Sequence, residues 1–205
     1  MRKAISKRLC VAVLLAFGAA EGASAVNWFD RGHGRAPELN RVFVCHSYTC
    51  RMITPVVLTP DDIAAIAAGL AEGTADPAAE RAAISYAVQV FEQIVGARIG
   101  TGNDLPGMQF GRGSPDQMDC IDEATNTTSL LVVLHAHGYL QHHRVAEPAS
   151  RGFFLDGRYP HATAVIAVNG SREKWAIDSW PNANGEPPVV QPLKVWRRDR
   201  NRAQS

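Results

Sequence analysis

The chain has 205 residues, 46% hydrophobic and 20% charged, with a formal charge of +1. These values fit one folded domain and argue against a mostly disordered chain. No apolar run reaches the ~18–20 residues of a spanning helix, which excludes a multi-pass membrane protein, and the near-neutral charge gives nucleic acid no electrostatic footing as the main partner.

Residues 1–25 read as an export leader. Arg2, Lys3, Lys7 and Arg8 form a basic start, Leu9–Ala20 is apolar, and Ala23-Ser24-Ala25 is a small-residue cleavage pattern. The apolar run of 12 residues is short for a bilayer, with an uncleaved anchor as the alternative. Cys10 lies inside this segment and has no role in the mature chain. Cutting after Ala25 removes four basic residues and Glu21, leaving 17 basic and 19 acidic residues in a single domain, 26–205. The expected location is the periplasm or the medium, where cysteines usually pair.

Three cysteines remain. Cys45 and Cys50 in CHSYTC suit a tight disulfide loop. Zinc, with His46 beside Cys45, is the rival use, but no second ligand pair at zinc-finger spacing accompanies them. Cys120 is left over, either as a reactive nucleophile or as a buried structural thiol.

In chain order, 26–42 looks irregular and 41–45 (RVFVC) reads as a strand. Thr59-Pro60-Asp61-Asp62 opens a helix to about residue 71, stopped by Gly73. Asp76-Pro77 opens another, with Ala82, Ala83, Tyr86, Val90, Phe91, Ile94 and Val95 recurring through about residue 95. Residues 100–118 form a long Gly-rich loop. GTGNDLPG in it lacks the strand-to-helix setting of a phosphate cradle. Asp119-Cys120 starts a helix of about 120–137, with acidic residues in its first turn, apolar all round from Leu130 to Leu134, and ended by Gly138. Such a helix start favours a thiolate at Cys120. FFLDG (153–157), HATAVIAV, SREKWAIDSW and 188–196 read as strands, and the charged tail as a frayed end.

Asn169-Gly170 between two β-rich runs predicts a two-residue hairpin turn that pairs Val168 with Ser171. Counted outward, this register sets His161 opposite Asp178, where the carboxylate can fix the tautomer of the imidazole. Thr163, Val165, Lys174 and Ala176 share that face. Ala162, Ala164, Ile166, Trp175 and Ile177 form the more apolar one. A structural ion pair is the plain alternative, and a bulge would break the register.

Asp119-Cys120-Ile121-Asp122 at a helix start, His161 beginning a strand and Asp178 ending the next resemble the bacterial transglutaminase-like cysteine proteinases. Their larger relatives are the papain-like and transglutaminase-like folds. Asp178-Ser179-Trp180 looks like the Asn-Ser-Trp of papain-type enzymes. The resemblance covers about 105–182 and implies an α+β fold, with N-terminal helices and a C-terminal antiparallel β-sheet. It implies Cys120 as nucleophile, His161 as base and acid, and Asp178 as orienting group. The implied activity is cleavage or transfer of amide bonds in a protein or peptide substrate through a thioester. The N–H of Cys120 is one oxyanion donor, with Gln109 or Gln117 as candidates for a second. Trp180 would shield the His–Asp pair. The chemistry requires no cofactor. Calcium near the cysteine occurs in relatives, and Asp119, Asp122 and Glu123 are the candidate ligands, the alternative being helix-start acids. DEATNTT after the cysteine is more polar than the family run.

Two rival readings stand beside this one. The first is a metal-binding protein using His135, His137, His142 and His143. The second is a non-catalytic binding module on the same scaffold, in which Cys120 is buried and inert.

Overall fold

The computed structural model describes residues 23–107, 114–152 and 160–199. It is an α+β protein with five helices and two antiparallel sheets among these residues. A hairpin pairs β1 (Arg41–His46) with β2 (Met52–Val57). The second sheet has the order β3-β4-β5-β6, from His143–Arg151, His161–Val168, Lys174–Asp178 and Val189–Pro192. The helices are α1 (Ala23–Asp30), α2 (Pro60–Ile66), α3 (Pro77–Ile99), α4 (Cys120–Ala136) and α5 (Leu193–Trp196). None of them is long and apolar enough to cross a membrane.

The helix starts follow their capping residues. Thr59 and Asp62 form a reciprocal capping box on α2, Asp76 caps α3, and Asp119 with Asp122 forms a second box on α4. Gly100, in the left-handed region, closes α3 four residues later than the periodicity predicts. The buried stripe of α3 is Ile84, Ala87, Val88, Phe91 and Val95, while Tyr86 is exposed. α4 lies at the centre. Leu130, Leu131, Val133 and Leu134 meet Val42 and Val44 of β1, Phe91 of α3, and Ala164, Ile166 and Ile177 of the large sheet. The opposite face of that sheet is also covered: Val165, Ala167 and Ala176 pack against Leu193 and Trp196 of α5.

Several expectations need correction. The expected strand at 41–45 is β1, but its partner β2 adds a second, separate sheet ahead of the long helices, so the sheet structure is not all C-terminal. Residues 26–30, read as part of an irregular entry, belong to helix α1. β3 was not foreseen; it carries a bulge between Ala146 and Ala149, which accommodates Pro148 on an edge strand. The late segment is strand only to Pro192, after which α5 begins. The expected strand 153–157 and most of the leader lie outside the described residues.

The hairpin turn also differs. The ladder pairs Ala167 with Lys174 and Ala164 with Ile177, and the Val168 N–H donates to Glu173 O at 2.9 Å. The loop is therefore Asn169–Arg172, four residues rather than two. Asn169 is not free to take the tight turn. Its backbone N–H donates to His142 O and its side chain to Gln141 O, and only Gly170 has positive φ. The register moves by two, so Asp178 is set diagonally to His161 rather than directly across. An even shift keeps both on one face.

Candidate active site

The diagonal pair meets. His161 Nε2 and Asp178 Oδ2 are 2.6 Å apart, and both side chains are buried. The diagonal spacing of an antiparallel pair is within reach of side chains this long. The same Asp178 oxygen accepts the indole N–H of Trp196 at 2.7 Å, so α5 pins the carboxylate from behind. Arg151 stacks over the other side of that indole, 4.4 Å from the ring centroid. The Trp180 and Trp196 rings lie 4.6 and 5.3 Å from the His161 ring, enclosing it. His161 Nδ1 is buried and has no hydrogen-bond partner among the described residues. With Nε2 turned to the carboxylate, Nδ1 is the nitrogen left for chemistry.

Cys120 is the first residue of α4, one position after its cap. Its sulfur rests on the backbone either side of His161. It lies 3.9 Å from Pro160 O, and the Ala162 N–H points to it. The structure thus brings Cys120 to the start of β4, while no hydrogen bond joins its sulfur to His161 Nδ1. Burial pushes the thiol up to about 12, and the nearby Asp119, Asp178 and Asp122 carboxylates push the same way. The thiol is therefore raised at this helix start rather than lowered as the sequence suggests, with burial as the largest cause.

A disulfide joins Cys45 to Cys50, as the sequence suggests. Ser47, Tyr48, Thr49 and Cys50 all have φ between 53° and 67°, a left-handed turn built without glycine. This is costly for L-residues, at ~1–2 kcal/mol each. The turn points its N–H groups at the head of α4. Tyr48 and Cys50 donate to Asp122, and Thr49 to Asp119. Cys45 bonds Asn126 through both its N–H and its C=O. His46 goes to Pro115 O and Thr54 Oγ1, away from the cysteines.

The candidate calcium ligands are already committed. Asp119 and Asp122 together accept six backbone N–H bonds, from Tyr48, Thr49, Cys50, Asp119, Ile121 and Asp122. Glu123 accepts the Ser179 hydroxyl at 2.7 Å. This arrangement does not fit a calcium site, whose ligand oxygens must turn to the ion. Cys45, Cys50 and Asp122 are the one metal-like grouping among the described residues, and both its sulfurs are in the disulfide.

The histidines of the rival metal reading diverge. His135 is exposed, His137 bonds Leu39 O and Asn40 Oδ1, and His142 bonds Thr74 O. His143 is buried against Glu80 at 2.9 Å. Gln117 is spent on the loop, accepting from Leu105 and donating to Asn103 O and Asp116 O, which leaves it no oxyanion role. Gln109 lies outside the described residues.

Sequence reasoning missed Asp104 and Glu92 under the site, and read Glu123 only as a calcium candidate or a helix-start acid. Glu123, Asp104 and Glu92 are buried near one another, and Glu92 and Glu123 line a cavity of about 10 Å³ with Asn126, Thr127 and Asn184. Burial, reinforced by neighbouring carboxylates, raises Glu123 to about 7, Asp104 to about 8 and Glu92 well above its usual range. Trp196, Trp28 and Phe29 were missed too. Nothing in a linear pattern marks an aromatic as a neighbour of a residue in another element.

Comparison with known proteins finds no matching family model, no matching curated protein and no matching solved structure.

Proposed function

We propose that the chain is an exported thiol hydrolase of transglutaminase-like or papain-like type, which cleaves or transfers amide bonds in a protein or peptide substrate. Cys120 is the nucleophile, His161 the base and acid, and Asp178 the orienting group. One observation carries the reading. His161 is held through Nε2 by Asp178, with Nδ1 unpartnered, where β4 meets the start of α4. A structural ion pair has no need of an enclosed, empty second nitrogen.

In this scheme Nδ1 takes the thiol proton as sulfur attacks the carbonyl carbon. The Cys120 N–H at the head of α4 donates to the developing oxyanion. The C–N bond breaks as the imidazolium gives its proton to the leaving amine, which leaves a thioester. Water, or a second amine in transfer, then attacks with Nδ1 as base, and the proton returns to sulfur. Asp178, itself fixed by Trp196, keeps the ring in one tautomer throughout. The disulfide supports an oxidising compartment, periplasm or medium.

The burial of Cys120 favours a second reading, a binding module with an inert thiol. Incubation with unfolded protein substrates separates the two. A hydrolase releases peptides and carries a thioester adduct on Cys120 by intact mass, and both are absent in Cys120→Ala and His161→Ala. No peptide release and no adduct from any form of the chain favours the binding module.

A further inference from the structure

α1 ends in two buried aromatics, Trp28 and Phe29, that take no part in the main core. They form one buried cluster with Cys120, Ala124 and Ala162, against which Ile121 and Trp180 pack. The Trp28 indole donates to Thr125 Oγ1 at 3.0 Å and its ring stacks on His33. Beyond this cluster, α1 rests on β3, where Arg31 pairs with Glu147 in the bulge. Cys120 is left 6% exposed. A sulfur nucleophile must come within ~3–3.5 Å of a carbonyl carbon, so this cover has to move before chemistry.

We propose that Trp28 and Phe29 occupy the acyl-substrate groove of the Cys120 site, and that α1 is a built-in blocker displaced by a peptide with a large aromatic or apolar side chain beside the scissile bond. This rests on the thiol-hydrolase reading given above. The groove has a floor of small side chains, Ala124 and Ala162, and walls of Ile121 and Trp180, a shape that takes bulky apolar groups.

α1 is built to detach. It has eight residues, and the expected cut after Ala25 leaves five, too few to hold a helix alone. Its exit is pinned at Gly34, where a Cβ would sit 2.7 Å from Thr125 Cγ2 and 2.8 Å from Cys45 Sγ. Gly32 has open space around it and φ +87°. The chain can therefore swing at 31–33 while Gly34 stays fixed.

Iodoacetamide modification of Cys120 tests this in the exported chain and its Trp28→Ala/Phe29→Ala form. The expected result is a rate at least tenfold faster in the double variant. N-acetyl-Trp-Phe-amide slows that rate and N-acetyl-Gly-Gly-amide does not. An unchanged rate, or equal protection by the two peptides, overturns the proposal. If the double variant loses its cooperative melt, Thr125→Val decides. It removes the indole's acceptor, together with a 3.9 Å contact of the hydroxyl with Cys50 Sγ, and the expected gain is two- to fivefold, against none if the proposal is wrong. These readouts need access to sulfur and peptide binding, not turnover. Faster modification without hydrolysis therefore sinks the hydrolase reading alone, whereas hydrolysis without any effect of the aromatics sinks the blocker alone.

Discussion

The two halves of α4 are both buried and have opposite chemistry. From Leu130 to Leu134 the helix is apolar and packs without directional bonds. From Asp122 to Ser129 it is polar, and nearly every side chain holds something. Asp122 and Asn126 hold the 45–50 turn, Thr125 holds α1, and Glu123 and Thr127 meet Ser179 beside Asp178. Thr128 and Ser129 satisfy their hydroxyls on carbonyls four residues back. Area burial stabilises from any direction, whereas hydrogen bonds fix position. The apolar half therefore supplies stability, and the polar half sets three segments around Cys120. A run of threonines that favours helix poorly is tolerated here because the hydroxyls are used.

The comparison breaks most visibly if the halves exchange roles. His161→Ala, at the strand end the polar half faces, is expected to cost at least ~10³-fold in peptide release per folded molecule, beyond the stability lost by leaving Asp178 without the imidazole. A large drop in melting temperature with activity retained in the folded fraction would contradict this assignment. Leu134→Ala, in the apolar half, is expected to cost about 3 kcal/mol in chemical denaturation, with the peptide-release rate per folded molecule unchanged. Asn126→Ala leaves the Cys45 N–H and C=O buried without their partner, for a loss of ~1–3 kcal/mol. A loss well beyond that of Leu134→Ala would blur the division.

The smallest effect is pH dependence. Burial raises Glu123 to about 7 and Asp104 to about 8, so between about pH 4.5 and 8 the folded chain holds protons that the unfolded chain has released. Stability then falls as pH rises, and the melting temperature drops by ~3 °C or more from pH 5 to 8. Glu123→Gln flattens part of that slope. Glu80 has the opposite sign. Burial pushes its pKa up, but three backbone N–H donors and His143 outweigh burial and hold it low, so its contribution is lost only as pH falls below the usual carboxylate range. A melting temperature that rises between pH 5 and 8 would contradict the assignment of the buried acids.

Local signals carried much of the fold. Thr59, Asp76 and Asp119 mark their helices because a cap is a short-range bond between neighbours. His161 and Asp178 were legible as a pair for a subtler reason. The turn was misread by two residues, yet strand alternation has period two, so the shared face survived the error. Other elements were hidden. β2 carries Pro55 and is mostly exposed, and β3 carries Pro148 at its bulge, so neither alternates cleanly. α1 overlaps the leader pattern, and α5 follows Pro192 inside a β-rich run. The left-handed turn at 47–50 has no glycine to announce it. It is held by the disulfide and by acceptors seventy residues away. The depth of Cys120 was illegible for the same reason, since the aromatics that cover it come from the far end of the chain.

The central claim is that Cys120 and His161 act as one unit. Its most direct test is the pH dependence of Cys120 alkylation in the folded chain, with His161→Ala as the control. Burial pushes the thiol up to about 12, so the profile is read in the Trp28→Ala/Phe29→Ala form, where the cover by α1 is gone, with and without His161→Ala. With that cover removed, the account predicts a rate that persists well below the free-thiol range of about 8.5 and loses that limb in His161→Ala. A single ordinary thiol titration, the same in both proteins, would contradict it.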